Sequence, residues 1–359
     1  MGHRITLIPG DGIGPEVTEA ARTVVEATGV EVHWDLQEAG AAVMQREGTP
    51  LPDRIIHSIQ ESRIALKGPI ATPVGTGFRS ANVALRQGLD LFASVRPARS
   101  VPGIPSRHPG TDLVVIRENT EDLYAGIEFE RGSEELDRLR AALRRLAGFE
   151  VRPDAGVTVK PISVTGTRRI VRFAFEFARR NQRRSVTVGH KANIMRFSDG
   201  VFLEISRDEA RSYRDVSLQD CQVDELALRL VTAPGALDLL LLPNLYGDIV
   251  SDLCAGLVGG LGLAPGANLG WEHAVFEPVH GSAPDIAGKG VADPIAMVLS
   301  AAMMLEHLGE FAAASAVKDG VTTVVAEGRV RTPDLGGNAS TSEFASAIAD
   351  AARGLLISR

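Results

Sequence analysis

The 359-residue sequence has little of what would mark a disulfide-stapled, membrane-spanning or nucleic-acid-binding protein. Its two cysteines, Cys221 and Cys254, provide no disulfide framework. A reducing, cytoplasmic setting is therefore expected. Apolar stretches such as that near residues 237–242 are far too short to cross a bilayer. Met1-Gly2-His3-Arg4 leads into only a brief apolar run, which does not read as a secretory leader. A net charge of −7 argues against a general nucleic-acid binder, while leaving room for a local basic pocket. Internal repeats and low-complexity segments are missing too.

Also lacking is the usual dinucleotide fingerprint. The turn Pro9-Gly10-Asp11-Gly12-Ile13-Gly14-Pro15-Glu16 follows one apolar run and opens a helical pattern, but its glycines are spaced G-x-G-x-G. Pro15 suits a first helical turn, and Glu16 sits well beside its positive end. A tight strand-to-helix turn accounts for this segment as well as ligand contact does.

What is present is ordinary globular composition, 44% hydrophobic and 23% charged, long enough for two or three structural units. Strands are expected over residues 5–8, 64–67, 112–116, 156–160, 185–189 and 237–242. Helices are expected over 15–27, 136–146, 169–180 and 294–307. This alternation predicts an α/β protein with a largely parallel, covered sheet. The proline-rich, basic stretch 96–109 reads as a connection, and 128–135 as a solvated turn.

Two constellations carry chemistry. Ser80, Asn82 and Arg86 fall on neighbouring turns of a helix opening near Ser80, while Arg96 and Arg117 lie beside apolar runs. Arginines so placed can grip carboxylates with both nitrogens, although any one alone reads as a solvated surface charge. In Asn244-Leu245-Tyr246-Gly247-Asp248-Ile249-Val250-Ser251-Asp252, the two aspartates are four apart and share a helix face. Their repulsion is relieved by a hard divalent cation such as Mg²⁺ or Mn²⁺; a capping aspartate beside an exposed one is the plainer alternative.

Nine segments in register then resemble the isocitrate/isopropylmalate dehydrogenase family, the metal-dependent β-decarboxylating dehydrogenases. They are GDGIGPE (10–16), KGP–TPVG–G–RSANVALR (67–86), RENTEDLYAGIE (117–128), KPISVTGTRRIVRFAFEFA (160–178), HKANIM (190–195), NLYGDIVSD (244–252), GGLGLAPGANLG (259–270), HGSAPDIAGKG (280–290) and TPDLGGNAST (332–341). The resemblance implies a three-layer α/β/α fold with two subdomains rather than a standard Rossmann domain. Residues 1–94 with 258–359 would form a large subdomain that joins the termini and binds cofactor. Residues 95–257 would form a small one with dimer contacts.

It further implies Arg86, Arg96 and Arg117 as carboxylate binders, Ser80 and Asn82 holding the distal acid group, and Tyr124 with Lys191 as the acid/base pair. Asp224, Asp248 and Asp252 would bind Mg²⁺ or Mn²⁺. Lys191, Asn193 and Asp224 would arrive from a partner in a homodimer with shared active sites. Thr72 would lie near the nicotinamide, and His280, Gly281, Ser282, Ala283, Pro284, Asp285 and Ile286 would wrap the adenosine. Asp285-Ile286 stands where NADP-dependent relatives carry Lys-Tyr. An aspartate accepts from a ribose 2′-OH and repels a 2′-phosphate, so NAD is expected.

The polar Ser80/Asn82 pair, where isopropylmalate dehydrogenases usually place leucines, favours isocitrate, oxidised to 2-oxoglutarate and CO₂. Homoisocitrate, 3-isopropylmalate, tartrate or a phosphonate-bearing malate analogue are alternative substrates for the same chemistry. A regulatory subunit that binds without turnover is a third reading, opposed by the complete set of expected catalytic residues. Two departures stand out: Glu225 adds a carboxylate beside Asp224, and Ala292 stands where an adenine-contacting asparagine is expected.

Overall fold

The computed structural model describes residues 2–71 and 80–358. Its strands are β1 (His3–Ile8), β2 (Val32–Leu36), β3 (Ile64–Lys67), β4 (Ala93–Arg99), β5 (Asp112–Glu118) and β6 (Glu128–Phe129). They continue with β7 (Val157–Thr158), β8 (Ser185–His190), β9 (Ser217–Gln222), β10 (Leu239–Leu242), β11 (Pro265–Leu269) and β12 (Ala274–Pro278). The helices begin with α1 (Gly14–Ala27), α2 (Ala41–Glu47), α3 (Asp53–Ser62), α4 (Ala81–Gly88), α5 (Glu134–Ala147) and α6 (Val164–Arg180). After them come α7 (Ser198–Ala210), α8 (Val223–Thr232), α9 (Asn244–Val258), α10 (Ile295–His307), α11 (Phe311–Glu327) and α12 (Thr341–Ile357).

Ten strands form one sheet in the order β2-β1-β3-β12-β11-β4-β5-β10-β8-β9, and β6 pairs with β7 in a small separate ribbon. Side chains alternate across a strand, so a strand covered on both faces reads as one unbroken apolar run. In β10, Leu239 and Leu241 enter one core while Leu240 and Leu242 enter another. In β5, Val114 and Ile116 face the first core, Leu113 and Val115 the second. Helices α1, α6, α7, α10, α11 and α12 cover the first face, with Phe175, Phe202 and Phe344 buried there. On the other face, α8 and α9 cover the β5–β10 half and α3 and α4 the β1–β3 half. The result is a three-layer α/β/α fold.

The sheet is largely parallel, as expected, with six of its nine strand pairings parallel. At its centre β12-β11, β11-β4 and β4-β5 are antiparallel, which makes the sheet mixed. The stretch expected as a connection begins inside β4, a central strand, and holds its last four residues, Arg96–Arg99, despite Pro97. The physical reason lies in the pairing. β11 accompanies β4 only as far as Val95, so at Pro97 β4 is paired on one side, opposite Val114. A proline is tolerated where its missing N–H has no ladder partner. The expected buried strand at 156–160 reduces to Val157–Thr158 in the small ribbon, where Thr158 is exposed. Among the described residues, no helix is long and apolar enough to cross a membrane.

Candidate active site

Ser80 stands at the N-terminal boundary of α4, and Asn82 and Arg86 follow on that helix. Arg86 reaches β12, where Nη2 donates to Glu277 Oε1 at 2.9 Å. Lys67 closes on the other oxygen of the same carboxylate at 2.5 Å. Asn268 Nδ2 donates a third bond to Glu277 at 2.6 Å. Lys67, Asn82, Arg86, Arg96, Glu277 and His280 line a cavity of about 130 Å³. Into this region the structure places polar groups with capacity to spare: Asn82 Oδ1, Arg86 Nε and His280 Nε2 are buried and have no hydrogen-bond partner among the described residues. His280 is held below its ordinary pKa by burial, which favours the neutral ring.

A second cluster joins β4, β5 and α9. Arg117, at the end of β5, is almost wholly buried. Its Nε and Nη2 donate to Asn244 Oδ1 at 2.9 and 2.7 Å, and its Nη1 donates to Asp248. Arg96 Nη1 donates to the same Asp248 oxygen at 3.1 Å and to Ser251 Oγ at 2.7 Å, and lies 3.7 Å from Asp252. The Tyr124 hydroxyl donates to the other Asp248 oxygen, under the Arg117 guanidinium 4.7 Å from the ring centroid. Burial, then Asp248, raises the phenol's pKa, so Tyr124 stays a proton donor at neutral pH.

Four cations (Lys67, Arg86, Arg96, Arg117) therefore face three carboxylates (Glu277, Asp248, Asp252). The Arg117 pKa is pushed down to about 9 mainly by burial, with the neighbouring Arg96 adding to it. Such a region attracts an anion bearing several charges.

Asp248 and Asp252 project from one face of α9, as their spacing predicts. Burial and repulsion from Asp248, opposed by Arg96, leave the Asp252 carboxyl above its ordinary value. Two oxygen donors under mutual repulsion suit a hard divalent cation. Among the described residues, no group of three or more His, Cys, Asp and Glu side chains is placed to hold one within this chain. Asp224, the third expected ligand, is instead an exposed partner of Lys191 at 2.5 Å. Lys191 also donates to Gln222 Oε1 at 3.3 Å, and Asn193 is exposed nearby in sequence. The expected residues thus fall into two groups: Arg86, Arg96, Arg117, Tyr124, Asp248 and Asp252, and the separate pair Lys191–Asp224.

Thr72 lies outside the described residues. The loop from His280 to Ile286 packs on the first glycine turn. Ile13 N donates to Ser282 O at 2.9 Å, and a Cβ on Gly12, at φ +61°, would come within 1.9 Å of that oxygen. Glycine is needed there for close backbone approach and a left-handed conformation. Asp285 is exposed at the loop's outer edge. Ala292 is buried in the core.

Sequence reasoning missed Glu277. The signal was a lone acid inside Ala-Val-Phe-Glu-Pro, an otherwise apolar strand. Burial alone would raise its pKa, but Lys67 and Arg86 outweigh burial and hold it far below the carboxylate range. A carboxyl depressed on folding adds stability above its unfolded pKa of about 4.3 and loses it as pH falls. Glu277→Gln should cost about 3–5 kcal/mol at neutral pH by stranding two buried cations. In melts from pH 7 down to 3, the gap between wild type and variant should narrow in acid. Parallel curves would refute this role for Glu277.

A mixed α/β sheet with an arginine–aspartate cluster beside a cationic cavity is the arrangement that the resemblance to the isocitrate/isopropylmalate dehydrogenases implies. Comparison with known proteins agrees. The family described as isocitrate/isopropylmalate dehydrogenase matches residues 4–348, and the chain belongs to it. It is 45% identical over 357 residues to the isocitrate/homoisocitrate dehydrogenase of Thermus thermophilus, covering 99% of this chain and 100% of that protein. It is 43% identical over 345 residues to a mitochondrial protein of Dictyostelium discoideum named as an isocitrate dehydrogenase [NAD] regulatory subunit, covering 95% and 90%. The crystal structure of isocitrate dehydrogenase from Methylococcus capsulatus superposes with a TM-score of 0.90 at 48% identity, covering 98% and 99%.

Proposed function

We propose that this protein is an NAD-dependent, divalent-metal-dependent dehydrogenase that oxidises isocitrate and releases its β-carboxylate as CO₂, giving 2-oxoglutarate. The observation that carries this reading is the convergence of Arg96, Arg117 and Tyr124 on Asp248, with Asp252 alongside and the Arg86 cavity at hand. Arg86, Arg96 and Arg117 hold the substrate carboxylates, and Ser80 and Asn82 hold the distal arm. Lys191, beside Asp224, serves as the base or relay for the C2 hydroxyl proton, directly or through water. Tyr124 delivers a proton to C3 once CO₂ has left.

A cation held by Asp248 and Asp252, and by Asp224 of a second copy, would supply charge stabilisation where negative charge develops on the C2 oxygen. NAD, wrapped by the loop from His280 to Ile286 with Thr72 near the nicotinamide, would accept the hydride. Exposed Asp285 supports NAD over NADP, since a 2′-phosphate would meet a like charge.

The same reading assembles each site from two copies. In its support, Phe197, Ile249 and Leu228 are exposed, on the Lys191 loop, on α9 beside Asp248, and on α8 beside Asp224. Large apolar side chains displayed near incomplete chemistry suit an intersubunit contact. The division into 1–94 with 258–359, and 95–257, belongs to this proposal, as does a reducing cellular compartment.

A test panel is isocitrate, homoisocitrate, 3-isopropylmalate, tartrate and a phosphonate-bearing malate analogue, each with NAD or NADP and Mg²⁺ or Mn²⁺. Isocitrate with NAD should show the highest kcat/KM. A clear lead for homoisocitrate, the second substrate in the Thermus relative's name, would move the assignment there. A second reading is favoured by the Dictyostelium name and by relatives named as subunits, namely a member of a heteromeric enzyme. The chain purified alone should turn over; inactivity restored by a second kind of subunit would favour that reading.

A further inference from the structure

Behind the two half-sites lies a buried charge cluster that the chemistry above does not use. Lys160, on the segment between β7 and α6, sends its ammonium between two aspartates that are completely shielded from solvent. Nζ lies 2.5 Å from Asp199 Oδ1 and 3.7 Å from Asp122 Oδ1. The Tyr246 ring covers it, with its centroid 4.6 Å away, and Met195 Sδ is 3.9 Å off. Burying these charges is costly unless each is paired and hydrogen-bonded.

The second oxygens of both aspartates bind backbone that carries catalytic groups. Asp199 Oδ2 accepts from the N–H of Lys191 itself, at 2.7 Å. Asp122 Oδ2 accepts from Leu245 N at 2.9 Å, in the first turn of α9, three residues before Asp248. Asp122 Oδ1 accepts from Leu123 N at 2.8 Å, the residue before Tyr124. Asp122 also adopts φ +68°, a conformation uncommon for a non-glycine residue. Such a conformation persists only where the surroundings enforce it, and here Pro161 O holds its N–H at 3.0 Å.

We infer that Lys160 is a positioning residue whose ammonium, gripped by Asp122 and Asp199, fixes the segment bearing Tyr124 and Asp248 relative to the segment bearing Lys191. Where each site takes Lys191 from a second copy, this bridge runs between one chain's contributions to two different sites. Its effect on turnover rests on the function proposed above, whereas its effect on the two segments does not.

The test is Lys160→Met in the full-length protein, with Lys160→Arg beside it. Without the ammonium, two buried carboxylates face each other and their grip on the Lys191 and Leu245 amides loosens. Hydrogen exchange at both amides should accelerate at least about tenfold, reporting local opening. Misplaced catalytic groups should lower kcat about a hundredfold with KM for substrate and NAD nearly unchanged. Lys160→Arg should recover much of both. Unchanged exchange at the two amides, or kcat within about twofold of wild type, overturns the inference.

Should Lys160→Met fail to fold, Asp199→Asn keeps the shape and an acceptor for Lys191 N–H while removing the charge that holds the ammonium. It should show the same loss of kcat at constant KM, and wild-type turnover in that variant is equally fatal. A wild-type protein inactive on every acid tested sinks the proposed activity instead, and exchange at Lys191 and Leu245 then decides the positioning role.

Discussion

Asp248→Asn should lose at least about a hundredfold in kcat, because three effects fall on one carboxylate. Asp248 is where the Tyr124 hydroxyl and the Arg96 and Arg117 guanidinium groups meet. With Asp252 it also forms the acidic pair of this chain on the proposed cation face. Its own pKa lies below the ordinary range, since burial is outweighed by Arg117 and Arg96. Asparagine keeps the shape and one acceptor but gives up the charge. The stability cost should stay near 1–2 kcal/mol, because the carboxylate is one-third exposed and solvent screens the pair. Substrate KM should not rise, since the freed arginines attract a polyanion more strongly. Steady-state kinetics with Mn²⁺ titration and a parallel melt would separate these effects. More than a tenth of wild-type turnover, at unchanged metal requirement, would remove Asp248 from the proposed ligand set.

Tyr124→Phe should divide the reaction into two unequal halves. The phenol is kept protonated by burial and by Asp248, which makes it a donor rather than a base. Deleting its hydroxyl should slow decarboxylation and proton delivery by about 10²–10⁴-fold, the range for a general acid. Hydride transfer should suffer less, because the base proposed for the hydroxyl proton, Lys191, stands on another segment. Supplying the intermediate oxo acid directly, and following CO₂ release and proton incorporation at C3, isolates the affected half. Equal losses in oxidation and decarboxylation would contradict the assignment.

Much of this architecture was legible because burial on two faces leaves a plain trace. Four consecutive leucines in β10 belong to a strand with a core on each side, and that run is visible in the bare sequence. The helix opening at Ser80 and the shared face of Asp248 and Asp252 followed from helical spacing. Less legible was β4, because Pro97 marks a break unless it is known which neighbour ends at Val95. The antiparallel centre also escaped, since buried antiparallel and parallel strands carry the same apolar pattern. Charges neutralised by distant segments were hidden altogether. Glu277 needs Lys67 and Arg86, and Lys160 needs Asp122 and Asp199. Pairings across so many residues leave no local periodicity.

The surplus of positive charge around Glu277 and Asp248 has a thermodynamic consequence. A polyacid guest offsets the mutual repulsion of these cations, so a fitting guest should raise the melting temperature by mass action before any cofactor is added. Ranking candidate acids by the heat each lets the fold withstand would identify the preferred guest without observing a single turnover.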